Sequence, residues 1–320
     1  MNLKEINWKK YSLTGGIPLL ILIFLGIWPY IGPTYYVTLF TYFLLYVAMA
    51  TAWTMFSGTT GYISLASAAF FGIGIYAAAL FGERMPLIFV IIIGGAVSFI
   101  LAFLVGAITL RLRGIYFAMF TFGLVVLFQQ VLLYWEITVK NIRGYFVVIE
   151  TNNTIYYYLF AICIATVGVA YWLRRSKFGL ALQGIGENEE AAAHTGINVT
   201  MVKILTFALS SFFMGAAGVV MATKMTYIDP QIAFNPLMSF NPALMSIFGG
   251  IGNIYGPVIG SVLFSYIQEK LTTGSLKEYY MMIFGSILVL SILFLPNGIL
   301  GFIQDLWKRI KGEKRAPTRG

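Results

Sequence analysis

The sequence predicts an all-α, polytopic membrane protein with about 8–10 membrane-crossing segments, each needing roughly 20 apolar residues of helix. Three observations carry that prediction. Of 320 residues, 59% are hydrophobic and 10% are charged, whereas soluble domains carry roughly a quarter charged residues. No Lys, Arg, Asp or Glu occurs in residues 11–82, 85–110, 114–135, 151–173, 204–223, 230–268 or 279–304, and each run is long enough to cross as a helix. The runs are continuously apolar rather than alternating, the opposite of a transmembrane β-barrel pattern.

The elements follow in order. The first run divides at "GPT" and "SGTTG" into spans near 15–31, 35–56 and 62–81. Further spans are expected near 86–110, 114–135, 155–173, 204–223 and 279–297. The run 230–268 is too long for one ordinary span and is punctuated by Asn241-Pro242, Gly249-Gly250, Gly252 and Gly256-Pro257, so 239–271 is expected to be broken and partly re-entrant. "FFGIGIY" at 70–76 echoes "FGGIGNIY" at 248–255, as paired elements of a repeat-built transporter would. Residues 298–320 are expected to form a cytoplasmic amphipathic tail, with Ile299, Phe302, Ile303, Leu306 and Ile310 at helical spacing. The basic start precedes an apolar segment without a small-x-small cleavage site, which reads as an uncleaved first span. Residues 1–320 are read as one transmembrane domain.

Charge sets the orientation. The net charge of +9 needs no nucleic acid to explain it, because Lys and Arg concentrate in cytoplasmic loops. With the N-terminus inside, 15 of the 21 basic residues fall on the cytoplasmic side: Lys4, Lys9 and Lys10; Arg111 and Arg113; Arg174, Arg175, Lys177 and Lys203; and six in the tail. Both termini are therefore expected to be cytoplasmic.

The longest cytoplasmic loop, 174–203, contains "GENEEAAAHTG". It reads as a short helix rich in Glu and Ala and closed by Gly196, which is a contact surface rather than a catalytic centre. No second His or Cys lies beside His194, so no metal site is expected, and Cys163 in an apolar run is read as a small core residue.

Glu190-Ala191-Ala192, followed after three residues by Gly196, resembles the cytoplasmic helix with which permeases of ATP-binding-cassette importers dock on their ATPase. "GYISLASAAFFGIGIYAAAL", "RLRGIYFAMFTFGL", "RSKFGLALQGIGENEEAAAHTGINVTMVK", "SFNPALMSIFGGIGNIYGPVIG" and "LFLPNGILG" occur in that order, and together they resemble the LivM-type permeases of branched-chain amino acid importers over nearly the whole chain. The resemblance implies a multi-pass subunit in the inner membrane of a prokaryote. It also implies a second homologous permease, two ATPases that hydrolyse ATP, and an extracytoplasmic substrate-binding protein. Glu187, Glu189, Glu190, Ala191, Ala192 and Gly196 would form the coupling surface. The chain has no G-x-x-x-x-G-K-[ST] phosphate loop, so it is read as a transport subunit binding no cofactor of its own.

The spans are read as free of ionisable residues, which argues against an ion-coupled carrier, the alternative from another class; urea or amide permeases of the same family are the nearer alternative. Small and neutral polar residues are the candidates for the pathway or its gates: Ser64, Ser67, Gly72, Gly74, Gln129, Gln130, Asn241, Ser246, Gly249, Gly250 and Gly252. Ser239 belongs with them.

Overall fold

A computed structural model describes residues 8–273 together with 279, 282, 285–286 and 298–301, with side chains from Leu20 onward. The span expected near 279–297 lies mostly outside the described residues, as does the tail beyond 301.

The described residues are mostly helical. Helix α1 (Trp8–Ile31) ends at Gly32-Pro33, and Pro33 occupies the N-cap of α2 (Thr34–Trp53), which continues as a wider π-turn over Thr54–Gly58. Pro86 caps α4 (Leu87–Thr109), and Gly114, at φ 59°, starts α5 (Ile115–Tyr134). Side chains cap the next helices, satisfying backbone N–H groups that have no partner inside the helix. Thr151 does so for α6 (Asn152–Arg175), Ser176 for α7 (Lys177–Glu187), Asn188 for α8 (Glu189–His194) and Asn198 for α9 (Val199–Ala222).

Five of these helices are long and apolar enough to cross a membrane: Thr34–Gly58, Leu87–Thr109, Ile115–Lys140, Asn152–Arg175 and Val199–Ala222. The first and last are central, with 89% and 83% of their apolar windows buried. By contrast α4 and α5, at 33% and 22%, present Ile92, Ile100, Leu104, Met119 and Leu127 outward, as lipid-facing helices do.

Three expectations are corrected. The third span is not a full helix: α3 begins only at Ser67 and ends at Phe81, and 15 residues rise about 22 Å, short of a roughly 30 Å apolar core. Its lead-in, 61–66, is irregular, neither helix nor strand, and such backbone is tolerated at depth only when protein satisfies it. Here Ser64 N–H donates to Ser57 Oγ (3.2 Å), Leu65 N–H to Thr121 Oγ1 (3.0 Å), and Trp53 Nε1–H to the Ser64 carbonyl (2.7 Å).

The fifth span does not stop before its charge. A π-turn, Trp135–Lys140, carries the helix on, so Glu136 lies inside it at 0% exposure. The echo between 70–76 and 248–255 is not structural, because the first stretch is mid-helix in α3 and the second is the end of a helix followed by a turn.

The broken segment is observed. After two-residue strands β1 (Tyr145–Phe146) and β2 (Tyr227–Ile228) pair antiparallel, Asp229 caps the short α10 (Pro230–Ala233). Helices α11 (Leu237–Gly249) and α12 (Tyr255–Thr273) then form a hairpin around Gly250, whose φ of 107° only glycine adopts readily. The hairpin turn lies at the α8 end of the bundle, where Gly252 accepts a hydrogen bond from the Arg174 guanidinium; α12 returns to the start of α2, where Tyr35 bonds Glu269.

Candidate functional site

Helix α8, within the loop 174–203, is built by local rules. Asn188 Oδ1 accepts from the N–H groups of Glu190 and Ala191, both at 3.0 Å, and Glu189 and Glu190 in the first turn suit the positive end of the helix dipole. Gly196, at φ 85°, ends it, and Asn198 Oδ1 caps α9 by accepting from Met201 N–H (3.1 Å). The preceding α7 sits close against the bundle because Gly186 has no Cβ to strike the Thr59 carbonyl.

The six residues expected to couple do not share one environment. Glu187, Glu190, Ala191 and Gly196 are exposed, while Ala192 is buried. Glu189 turns inward. Its Oε1 accepts from Lys203 Nζ at 2.7 Å and its Oε2 from Tyr62 OH at 2.6 Å. Lys203 is 2% exposed, donates also to Tyr62 OH (3.3 Å) and the Leu110 carbonyl (3.4 Å), and stands 4.5 Å above the Tyr62 ring. Burial pushes the Glu189 carboxyl up, but the hydrogen bonds from Lys203 and Tyr62 outweigh it and hold the group below the usual glutamate range. Glu190, by contrast, meets Arg113 across 3.7 Å in solvent.

α8 is therefore latched directly to α9 through Lys203 and to the irregular lead-in of α3 through Tyr62, and Lys203 in turn ties the latch to the α4–α5 junction at the Leu110 carbonyl. Sequence reading missed Tyr62 and assigned Lys203 only to the loop's basic count. The available signal was a lysine inside an apolar helical pattern, between Val202 and Ile204, which needs a buried anion.

The pathway candidates separate into four sets. Ser67, Asn241, Ser246 and Ser239 are buried and lie along the contact of α2, α3 and α11, with Ser64 buried beside them between α2 and α9. Ala68 N–H donates to Ser239 Oγ (3.1 Å), Asn241 Nδ2 to Tyr46 OH (3.4 Å), and Ser246 Oγ to the Ala50 carbonyl (3.0 Å), while Ser67 Oγ is buried with no partner among the described residues. Gly72, Gly74 and Gly249 are packing residues: a Cβ would strike Phe234, the Gly215 carbonyl and the Gly256 carbonyl respectively. Gly250 and Gly252 form the hairpin turn. Gln129 and Gln130 are not brought to this contact; Gln130 is exposed on peripheral α5 and Gln129 half-buried.

At the opposite end, Glu136 accepts from Tyr76 OH (2.6 Å) and Gly144 N–H (2.9 Å), so each carboxylate oxygen already has a protein donor. No cluster of metal-ligating side chains occurs among the described residues.

Comparison with known proteins bears on what this assembly does. Residues 35–292 match the model of a family described as branched-chain amino acid transport system / permease component. The high-affinity branched-chain amino acid transport system permease protein LivM of Salmonella typhimurium is 24% identical over 90% of this chain and 75% of its own length. LivH of Escherichia coli K12 is 32% identical over 43% of the chain and 44% of its own, and the ribose import permease protein RbsC of Haemophilus influenzae 27% identical over 41% and 42%. No solved structure matches.

Proposed function

Because the chain belongs to the family of branched-chain amino acid transport system permease components, we propose that it is a membrane-spanning subunit of an importer. It passes a branched-chain amino acid inward by alternating access, while separate ATPase subunits hydrolyse ATP. Its partners are a second homologous permease, two ATP-binding-cassette ATPases and an extracytoplasmic binding protein. It sits in a prokaryotic inner membrane with both termini and α8 on the cytoplasmic side, as the distribution of Lys and Arg supports.

One observation carries the mechanism. α8 leaves Glu190, Ala191 and His194 exposed for a soluble partner, beside exposed Glu187 at the end of α7, while its inner side is pinned through Glu189 to Lys203 and Tyr62. A displacement imposed on the outer face by nucleotide binding is thereby delivered to the segment that leads into α3. This chain contributes no nucleotide chemistry.

An ion-coupled carrier needs an intramembrane group free to bind an ion or proton. Glu136 is buried but occupied on both oxygens, which fits a structural tie better than a relay.

The test is co-purification from native membranes of the wild-type chain and of a Glu190→Lys, Gly196→Pro variant that inserts normally. The reading expects an ATPase with the first and its loss from the second, and uptake that survives collapse of ion gradients at constant ATP. Absence of an ATPase from both, or uptake that stops with the gradient, overturns it.

A further inference from the structure

At the end of the bundle away from α8, α2 and α12 line an open cavity of about 220 Å3. That is many times the roughly 10–15 Å3 that one water needs on the same measure, room for one small metabolite rather than a peptide. One wall is Leu39, Tyr42, Phe43 and Tyr46; the other is Ser265, Gln268, Glu269 and Thr272. Apolar faces thus oppose a polar one.

Two features set it apart from a packing defect. Ser265 Oγ and Gln268 Oε1, on residues of the polar wall, are buried without a hydrogen-bond partner among the described residues, and a buried polar atom left unpaired is costly. The cavity is also lined by one carboxylate, Glu269, and Lys224 stands on the ring of its wall residue Tyr42. Glu269 accepts from Tyr35 OH (3.3 Å) and Thr273 Oγ1 (3.2 Å), whereas Lys224 holds its Nζ 4.1 Å from the centre of the Tyr42 ring. Among the described residues the ion pairs are Arg113–Glu190 and Lys203–Glu189, so Lys224 and Glu269 stand apart beyond ion-pair distance.

We propose that this cavity is a binding station for one free α-amino acid with an aliphatic side chain, its ammonium on Glu269 and its carboxylate toward Lys224. The side chain lies against Leu39, Phe43 and the aromatic faces of Tyr42 and Tyr46. Ser265 and Gln268 complete the polar contacts. A separated carboxylate and ammonium match a zwitterion, whereas a sugar or an amide would leave both charges without a counter-charge. This rests on the importer reading and names where the chain itself holds its substrate.

Cys163 is the sole cysteine, so a Cys163→Ser, Ser265→Cys chain reports from inside the cavity. The experiment measures, in the assembled complex in proteoliposomes, ATP-driven uptake of L-leucine and the rate at which a thiol reagent modifies residue 265. The expected result is slowing of modification by L-leucine. 4-Methylpentanoate and isoamylamine, each lacking one of its charges, and the variants Glu269→Gln and Lys224→Met should each require about tenfold more ligand for the same protection. Unchanged modification in a complex that still imports L-leucine overturns the station and leaves the importer standing. Loss of ATP-driven import of every amino acid tested in the wild-type complex overturns the importer and the station with it. Equal protection by the singly charged analogues overturns the charge assignment. If Ser265→Cys does not assemble, Thr272→Cys on the same wall gives the same readout.

Discussion

Replacing Glu189 with Ala should be far more damaging than replacing its neighbour Glu190, although both are carboxylates on a six-residue helix. Removing Glu189 strands the Lys203 ammonium, 2% exposed, with only the Tyr62 hydroxyl and the Leu110 carbonyl at 3.3 and 3.4 Å. Breaking a buried pair from one side costs about 3–5 kcal/mol, because an uncompensated charge remains. The converse change, Lys203→Met, leaves a carboxylate whose side chain is 25% exposed and can hydrate, so its cost is nearer 1–3 kcal/mol. Glu190→Ala breaks only a 3.7 Å solvent pair with Arg113, worth below about 1 kcal/mol. The double variant Glu189→Ala, Lys203→Met should cost less than the sum of its parts, since each partner is harmful chiefly when the other remains. Unfolding midpoints of the purified chain in detergent measure all four. The pH dependence gives a second handle: a carboxyl held low in the folded state stabilises fully above the ordinary glutamate value of about 4.3 and loses that contribution as pH falls through its depressed value. Glu189→Gln should lack that acid-side loss. A midpoint for Glu189→Ala matching that of Glu190→Ala would refute the reasoning.

Gly74→Val should prevent assembly or cost more than about 1–3 kcal/mol in the same assay, because its Cβ meets the Gly215 backbone rather than a movable side chain. Tyr76→Phe removes one of two donors to buried Glu136, and a midpoint loss matching about 1.5–3 kcal/mol is expected. Gly196→Ala meets no atom within 4 Å and pays only for its φ of 85°, roughly 1–2 kcal/mol, so it should lower the midpoint slightly without changing how much ATPase co-purifies. A disulfide between Ala68→Cys and Ser239→Cys, in a Cys163→Ser background, should stop ATP-driven uptake and restore it on reduction; uptake that continues while crosslinked would remove the α3–α11 contact from the gating movement.

The helical, membrane-spanning character was legible because it depends on the length of charge-free runs, a property of the sequence alone. The hairpin at 237–273 was legible for a related reason, since Gly and Pro mark where a helix cannot continue. α3 was misjudged because "GYISLA" is as apolar as a helix; what holds it outside a helix is hydrogen bonding to Ser57, Thr121 and Trp53, and these partners are distant in sequence or chemically ordinary. Likewise the count of charges per span put Glu136 one residue beyond a run. The helix carries on past that point through a π-turn that no composition window detects. For the site, the acidic turn was conspicuous, but which glutamate faces inward was decided by Lys203 and Tyr62, the one 14 residues and the other 127 residues away.

The division of contacts within the bundle indicates where movement is cheap. α3 meets α9 backbone to backbone, with Gly74 on the Gly215 carbonyl and Gly218 on the Phe71 carbonyl, and α9 itself carries Lys203 of the latch. Close-packed surfaces of this kind do not slide by fractions of an ångström without collision, so α3, α9 and α8 respond together. α3 meets α11 differently, through the hydrogen bond from Ala68 to Ser239 beside the Ser67 hydroxyl, which has no partner among the described residues. A few hydrogen bonds of about 1 kcal/mol net each can be exchanged for others at small cost, whereas a backbone interlock cannot. Work delivered to α8 by an ATPase would then appear as displacement along the α3–α11 contact, where the small hydroxyl side chains offer replacement partners to a polar solute. The substrate held between α2 and α12 lies one helix away from that contact, since α2 also touches α11 through Tyr46–Asn241 and Ala50–Ser246.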